Sequence, residues 1–596
     1  MPVTGAAPAR PRLGKALATV GLWTMASRVL GFARDVAIAA TLGASPVAEA
    51  FLLAFRLPNM FRRFFAEGAF NMAFVPLFTK KLPGERPAPG TSASTDDGRN
   101  PGGGPLATPT PPGTGSEGPH GPGSGLDDVT SSGWRPAPDP GMAEADAAAA
   151  DLAVVPPRPE SGGHDALGFA RDAFSGLAAI LVAFTLVCMA AMPALVLLLA
   201  GGFRGDERFD LAVLYGRIAF PYILLISLAA LLSGVLNALG RFVAAAAAPV
   251  LLNVLFLTAL SLAALLGWDV GLTLAWTVPL AGAAQLALVW RAAARAGYRL
   301  IPRRPRMTPE LRRLAIIAAP AALSGGVVQV NLLVGTRVAS EFEGAIAWLS
   351  YADRLYQLPL GVVGIAIGVV LLPDLSRRLR DRDPEGGRMA LSRAGEVAMA
   401  LTLPAAVALC VIPGPLVTVL YERGAFGPED AAATALAVAV YGAGLPAFVL
   451  QKVLQPLYFA RHDTRRPFRY AVVALVVNAA LAVGLAPFIG FIAAAWGTTV
   501  AGWAMLWLLW RGTAGMGEVA RPDPRFWSRL ARIALASAVM GAALWAVTTL
   551  AAGIFAGALG IPALAALVAF GMASYALAGR ALGAFAPREI RSALRR

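Results

Sequence analysis

Eight ionisable side chains, Arg28, Arg34, Asp35, Glu49, Arg56, Arg62, Arg63 and Glu67, interrupt the otherwise apolar stretch 26–78. The stretch is long enough for two bilayer crossings. A charge near a bilayer centre costs roughly 2.5–3.5 kcal/mol on insertion scales, so it faces a partner or a wet cavity. On a helix, Arg28 and Asp35 are seven residues apart and share a face, as do Arg56 and Arg63. A later span, YADRLYQLPLGVVGIAIGVVLLP, repeats the theme with Asp353 and Arg354. It continues with Gly361, Gly364 and Gly368, small residues that let helices approach closely or slide. Any single arginine here can be neutralised in an ion pair with Asp35, Glu49, Glu67 or Asp353, or can snorkel to a surface. As a set the arginines outnumber those carboxylates, and surplus guanidinium forks suit an anion, pairing bidentately with phosphate. At an effective dielectric near 20 each close pair is worth about 4 kcal/mol before desolvation. Three or four arginines therefore suffice to hold a diphosphate, and to loosen their grip if their helices move apart.

Other chemistry is poorly represented. Two of the three histidines, His120 and His164, fall in a polar stretch and His462 in a basic loop, which argues against a histidine metal site or a Ser-His-Asp hydrolase. No phosphate-binding P-loop pattern occurs, so the chain is not expected to hydrolyse ATP itself. Asp381-Arg382-Asp383 has the look of a glycosyltransferase metal pair, but a short solvated loop explains it better. Cys188 and Cys410 both lie in apolar runs and read as small buried hydrophobes. Trp268, Trp510 and Tyr421 sit near span ends as ordinary interface anchors.

The elements that must position the arginines are membrane helices. Of the 596 residues 57% are hydrophobic and mean hydropathy is +0.62, the composition of a polytopic membrane protein. Net charge is +15, yet residues 84–165 carry −8, leaving +23 on the rest. A basic balance can mean nucleic acid, but here the arginines lie between apolar runs, so no nucleic-acid partner is expected. Fourteen spans are predicted, near 17–43, 47–80, 171–200, 210–238, 243–267, 270–293, 311–337, 344–373, 390–414, 431–459, 468–487, 491–510, 528–553 and 561–583. Alternate loops are arginine-rich: 291–313 alone holds eight, against Arg204, Arg208 and Arg423 on the other side, with Arg337 at an edge. The positive-inside rule then places both termini in the cytoplasm. The N-terminus lacks a short apolar core with a cleavage site, so the first helix is expected to be retained.

The Pro-, Gly- and Ser-rich stretch 84–165 has no apolar period and is expected to be a disordered, acidic, cytoplasmic linker. A faint duplication runs through the rest. Pro221, Arg241 and Asn253 recur as Pro446, Arg466 and Asn478 at one offset, and Arg56-Leu57 recurs as Arg354-Leu355 at a larger one. The offsets differ by nearly the length of the linker. Internal repeats with the site at their interface are a transporter signature. The expected organisation is 1–83 (helices 1–2 of an N-terminal lobe), 84–165 (linker), 166–300 (helices 3–6), 301–512 (a C-terminal lobe of helices 7–12) and 513–596 (two further helices and a basic tail).

Four segments carry a resemblance: SRVLGFARD at 27–35, AFRLPNMFRRFFAEGAFNMAFVPLF at 54–78, FPYILLISLAALLSGVLNALGRF at 220–242 and YADRLYQLPLGVVGIAIGVVLLPDLS at 351–376. They closely resemble the MurJ (MviN) family of the MOP exporter superfamily, over all but residues 84–165. The resemblance implies an all-α fold of two six-helix lobes with two added helices forming a lipid-facing groove. It implies a transporter that flips lipid II, the undecaprenyl-diphosphate-linked peptidoglycan precursor, across the bacterial inner membrane by alternating access. It assigns the diphosphate to Arg28, Arg34, Arg62 and Arg354, with Asp35, Glu49 and Asp353 as cavity or gating carboxylates. Glu49 stands where the family has an aspartate. No cofactor is implied. Some members bind sodium through acidic residues on helices seven and eleven, but 314–336 and 468–487 contain no carboxylate, so coupling to membrane potential or another ion is expected instead. Open alternatives are another lipid-linked oligosaccharide, such as an O-antigen type, and a non-transporting scaffold for peptidoglycan synthesis machinery. A drug-cation exporter would favour carboxylates over arginine. A membrane glycosyltransferase would depend on Asp381 and Asp383.

Overall fold

The computed structural model describes residues 13–62, 69–82, 164–316, 333–381, 383–461, 463–555, 557 and 559–584. Every regular element among them is helical. The first part of the chain forms α1 (Leu13–Leu42), α2 (Pro46–Arg62), α3 (Ala69–Lys80), α4 (His164–Ala190), α5 (Met192–Leu199), α6 (Glu207–Ala219), α7 (Tyr222–Ala238), α8 (Val243–Leu266) and α9 (Val270–Arg295). The second part forms α10 (Ala345–Arg380), α11 (Pro384–Val411), α12 (Pro413–Tyr421), α13 (Pro428–Phe459), α14 (Arg465–Ile489), α15 (Ile492–Gly512), α16 (Pro524–Leu550) and α17 (Gly560–Ala581). Ten stretches among the described residues are long and apolar enough to cross a bilayer. In lipid a helix satisfies its own backbone, which is why long apolar runs adopt no other form.

Several expected spans are subdivided. The 171–200 span breaks at Ala191, ahead of Pro193 in the first turn of α5. The 210–238 span breaks at Phe220–Pro221, since proline lacks the N–H that would continue the ladder. The 47–80 span is α2 and α3, with 63–68 outside the described residues, and most of the 311–337 span lies outside them too. Of the expected linker only the last two residues are described, and they begin α4, so His164 opens a helix rather than sitting in a linker.

Two groups of helices pack mainly among themselves. In the first, α8 lies against α1 and α9, α9 against α7, and α2 against α6. In the second, α13 lies against α10, α11 and α15, and α14 against α15. The groups meet where α1 and α2 touch α10 and where α1 touches α12. Helix α16 packs on α11 and α17, sealed by an apolar cluster of Met540, Leu544, Leu564 and Leu567 with Ile412 and Val419.

Candidate functional site

The charged residues of α1, α2 and α10 meet in the layer between the two groups. Asp35 is its hub. Its Oδ1 accepts from Arg34 Nη2 at 2.8 Å, and its Oδ2 lies 2.5 Å from Nε of Arg354, on the opposite group. Arg34 is only 6% exposed and is satisfied on every side. Nη1 donates to Asn253 Oδ1 at 3.1 Å, and the guanidinium lies over the rings of Phe55 and Phe256 at 5.6 and 5.4 Å. Asn253 is oriented by donating to the Ser27 carbonyl at 3.0 Å. Arg34 is thus a neutralised structural cation rather than a surplus one. Arg354 differs, because 43% of its side chain stays solvent-exposed although it sits within the interlobe layer. It borders open space and presents donors there.

Arg28 does not pair with Asp35, although the two share a helical face. Its guanidinium lies so close over Gly361 of α10 that a Cβ there would have to displace it. Among the described residues no carboxylate pairs with Arg28. Lys452 of α13 is exposed and lies within the electric field of Arg28. Two cations on opposite groups thus act on each other through space. Arg56 of α2 donates to Thr336 Oγ1 at 2.5 Å and to Ser350 Oγ at 3.1 Å, both on the second group, and feels the charges of Asp353 and Arg354. The two arginines therefore reach across in opposite directions, Arg56 to α10 and Arg354 to α1. Asp353 accepts from Gln357 one turn on. Arg62 is half-buried and closes α2, and Arg63 and Glu67 lie outside the described residues.

At the end of the bundle that carries the α1–α2 turn, the groups are latched. Glu49 is fully buried. One oxygen accepts from Arg208 Nη1 at 2.9 Å and the other from the backbone N–H of Ile346 at 2.9 Å. The carboxylate thereby caps α10 from the other group, where the helix dipole favours negative charge. Arg208 lies over Phe203 at 4.5 Å and also pairs with Asp206. Desolvation pushes the Asp206 carboxyl up, but hydrogen bonds from the side chain and backbone N–H of Arg208 more than reverse it, leaving it below the usual range. Alongside, Gly43 (φ 61°) and Gly424 (φ 61°) each press backbone against the other's turn, and the Ala425 N–H donates to the Ala40 carbonyl at 2.9 Å. A Cβ at Gly43 would strike Ala425, and one at Gly424 would strike Ala40.

Three partners escaped sequence reasoning. Arg208 was legible only as a loop arginine, Asn253 only as a repeat marker, and Lys452 not at all. Its signal was a lone lysine in an apolar span.

The chain matches the family described as lipid II flippase MurJ over residues 38–88 and 160–565. It is 40% identical to a probable lipid II flippase MurJ of Rhizobium meliloti (strain 1021), covering 89% of this chain and 86% of that protein. It is 32% identical to a lipid II flippase MurJ of Burkholderia cenocepacia, covering 80% and 79%. Among solved structures, lipid II flippase MurJ in an inward closed conformation superposes with a TM-score of 0.68 at 20% identity, covering 94% of this chain and 97% of that one. A MOP superfamily transporter from Pyrococcus furiosus superposes at 0.51 with 14% identity, covering 86% and 98%.

Proposed function

The chain belongs to the MurJ family of lipid II flippases, and from that premise we propose that it carries lipid II from the inner to the outer leaflet of the cytoplasmic membrane. It is a multi-pass membrane protein and a transporter, not an enzyme. Both termini and the arginine-rich loops lie on the cytoplasmic side, as the positive-inside rule requires.

One observation carries the choice of site. The Arg28 guanidinium lies against Gly361 of the opposite group, its charge acts on Lys452 of α13, and neither cation has a carboxylate partner among the described residues. Like charges held in that way repel, and an incoming diphosphate relieves the repulsion. Arg354 joins them, because its open side can take a phosphate oxygen in exchange for Asp35, while Asp35 keeps Arg34 neutral. That exchange loosens the tie between α1 and α10, so substrate binding weakens the contact that must move for alternating access. Arg62 lies farther along α2 and extends the cationic path, with the charge of Asp353 acting on Arg354 from the next position. The Glu49 latch holds the far end shut until the groups rock apart. The lipid tail stays in the bilayer throughout.

The test is translocation of fluorescent lipid II in proteoliposomes. The wild-type chain moves it, and Arg28→Ala slows it by about 10- to 100-fold, the worth of one charge-assisted hydrogen bond. A wild-type chain that moves nothing is a scaffold. An Arg28→Ala chain as fast as wild type places the diphosphate elsewhere.

A further inference from the structure

A second recess lies away from the interlobe layer, between α11, α13, α15 and α16. It has a volume of about 290 Å³, and Trp503, Trp507, Trp510 and Trp527 line it with Phe526 and Leu450. It faces the side of α16 that packs on α11, not the α16–α17 contact. Each of the four tryptophans is at least 40% exposed, so they stand around an opening rather than fill a core.

The walls are preformed. Trp510 and Trp527 meet edge to face at 5.8 Å, and Phe526 and Trp527 at 5.3 Å. Trp503 Nε1 donates to the Ala443 carbonyl at 3.1 Å. Helix α16 is fixed to α11 by Glu396, which is 5% exposed and accepts from Arg393 at 2.6 Å and Arg529 at 3.3 Å. The Asp523 N–H donates to Ser392 Oγ at 3.1 Å, closing the end of the slot.

The rim is cationic. Arg511 is exposed and lies over the Trp507 ring at 5.3 Å, and Arg521 is exposed next to Pro522, another wall residue. Among the described residues neither forms an ion pair. Isolated interfacial tryptophans are ordinary anchors. Four of them around one apolar slot, at the arginine-rich end of the bundle, combine a chain-sized apolar surface with a charge that only an anionic headgroup complements.

We propose that this slot binds one anionic phospholipid of the leaflet at the arginine-rich end, with an acyl chain against the tryptophans and the phosphate at Arg511 and Arg521. The lipid then bridges α15 and α16 and couples the appended helices to leaflet charge.

Tryptophan quenching by chain-brominated lipids tests this in phosphatidylcholine vesicles. At equal mole fraction, brominated phosphatidylglycerol quenches the wild-type chain more than brominated phosphatidylcholine does. The headgroup-dependent part vanishes when Trp503, Trp507, Trp510 and Trp527 are all replaced by Phe, and Arg511→Gln or Arg521→Gln each weakens the preference about fivefold, a membrane-surface charge being worth ~1 kcal/mol. Equal quenching by the two headgroups means ordinary annular lipid and overturns the proposal. Headgroup-dependent quenching that survives the tryptophan replacements puts the anionic lipid elsewhere and overturns it too. If unlabelled undecaprenyl phosphate displaces the brominated lipid better than unlabelled phosphatidylglycerol, the slot belongs to the substrate's carrier chain and the proposal fails, with the reading of Arg28 untouched.

Discussion

The two ends of the α1–α2 pair use the same residue types for opposite purposes. Near the turn, Glu49 is fully buried and saturated by Arg208 and a helix N-terminus. In the middle, Arg28 and Lys452 are left without carboxylates among the described residues, and Arg354 keeps an open side. A buried charge that is paired holds structure together. A cation left unpaired keeps its donors for an anion, the role proposed for Arg28. The difference shows that the surplus of arginine over carboxylate is not spread evenly, because the acids are spent at the latch and on Arg34.

This contrast can be broken by exchanging what each end lacks. The largest effect is expected for Glu49→Ala, which strands Arg208 and the Ile346 N–H and should cost about 3–5 kcal/mol of stability, read as a fall in unfolding midpoint in detergent. Glu49→Gln keeps an acceptor and should lose less. Asp35→Asn comes next. It removes the shared counter-charge of Arg34 and Arg354, and because Arg354 is partly open the loss should be about 3 kcal/mol or less. Arg28→Ala should invert the pattern, slowing translocation while leaving stability within about 0.5 kcal/mol. A destabilised Arg28→Ala chain would erase the distinction between the two ends. Lys452→Ala should behave likewise but more weakly, since it is more exposed, at about 1 kcal/mol or a fivefold loss of translocation.

The smallest effect concerns acid. The Asp206 carboxyl is held below its ordinary range in the folded chain. Its contribution is therefore full above the unfolded pKa of about 3.9 and is lost as pH falls through the lower folded value. Asp206→Asn should flatten the acid limb of stability against pH and leave neutral pH nearly unchanged.

Much of the fold was legible because apolar runs of bilayer length have one way to satisfy their backbone. The site was legible only as a set of charges. Helical periodicity pairs Arg28 with Asp35, yet Asp35 is taken by its neighbour Arg34, whose long side chain folds back, and by Arg354 from 319 positions away. Glu49 and Arg208 are 159 positions apart, and no local pattern connects them.

The sequence by itself determined that this is an all-helical membrane protein with more guanidinium groups than acids in its charged spans, since hydropathy and charge are properties of composition and order. Only the tertiary structure decided which of those cations are neutralised and which are left to act. Pairing depends on the approach of side chains from helices far apart in the chain, and a carboxylate given to one arginine is withheld from the others.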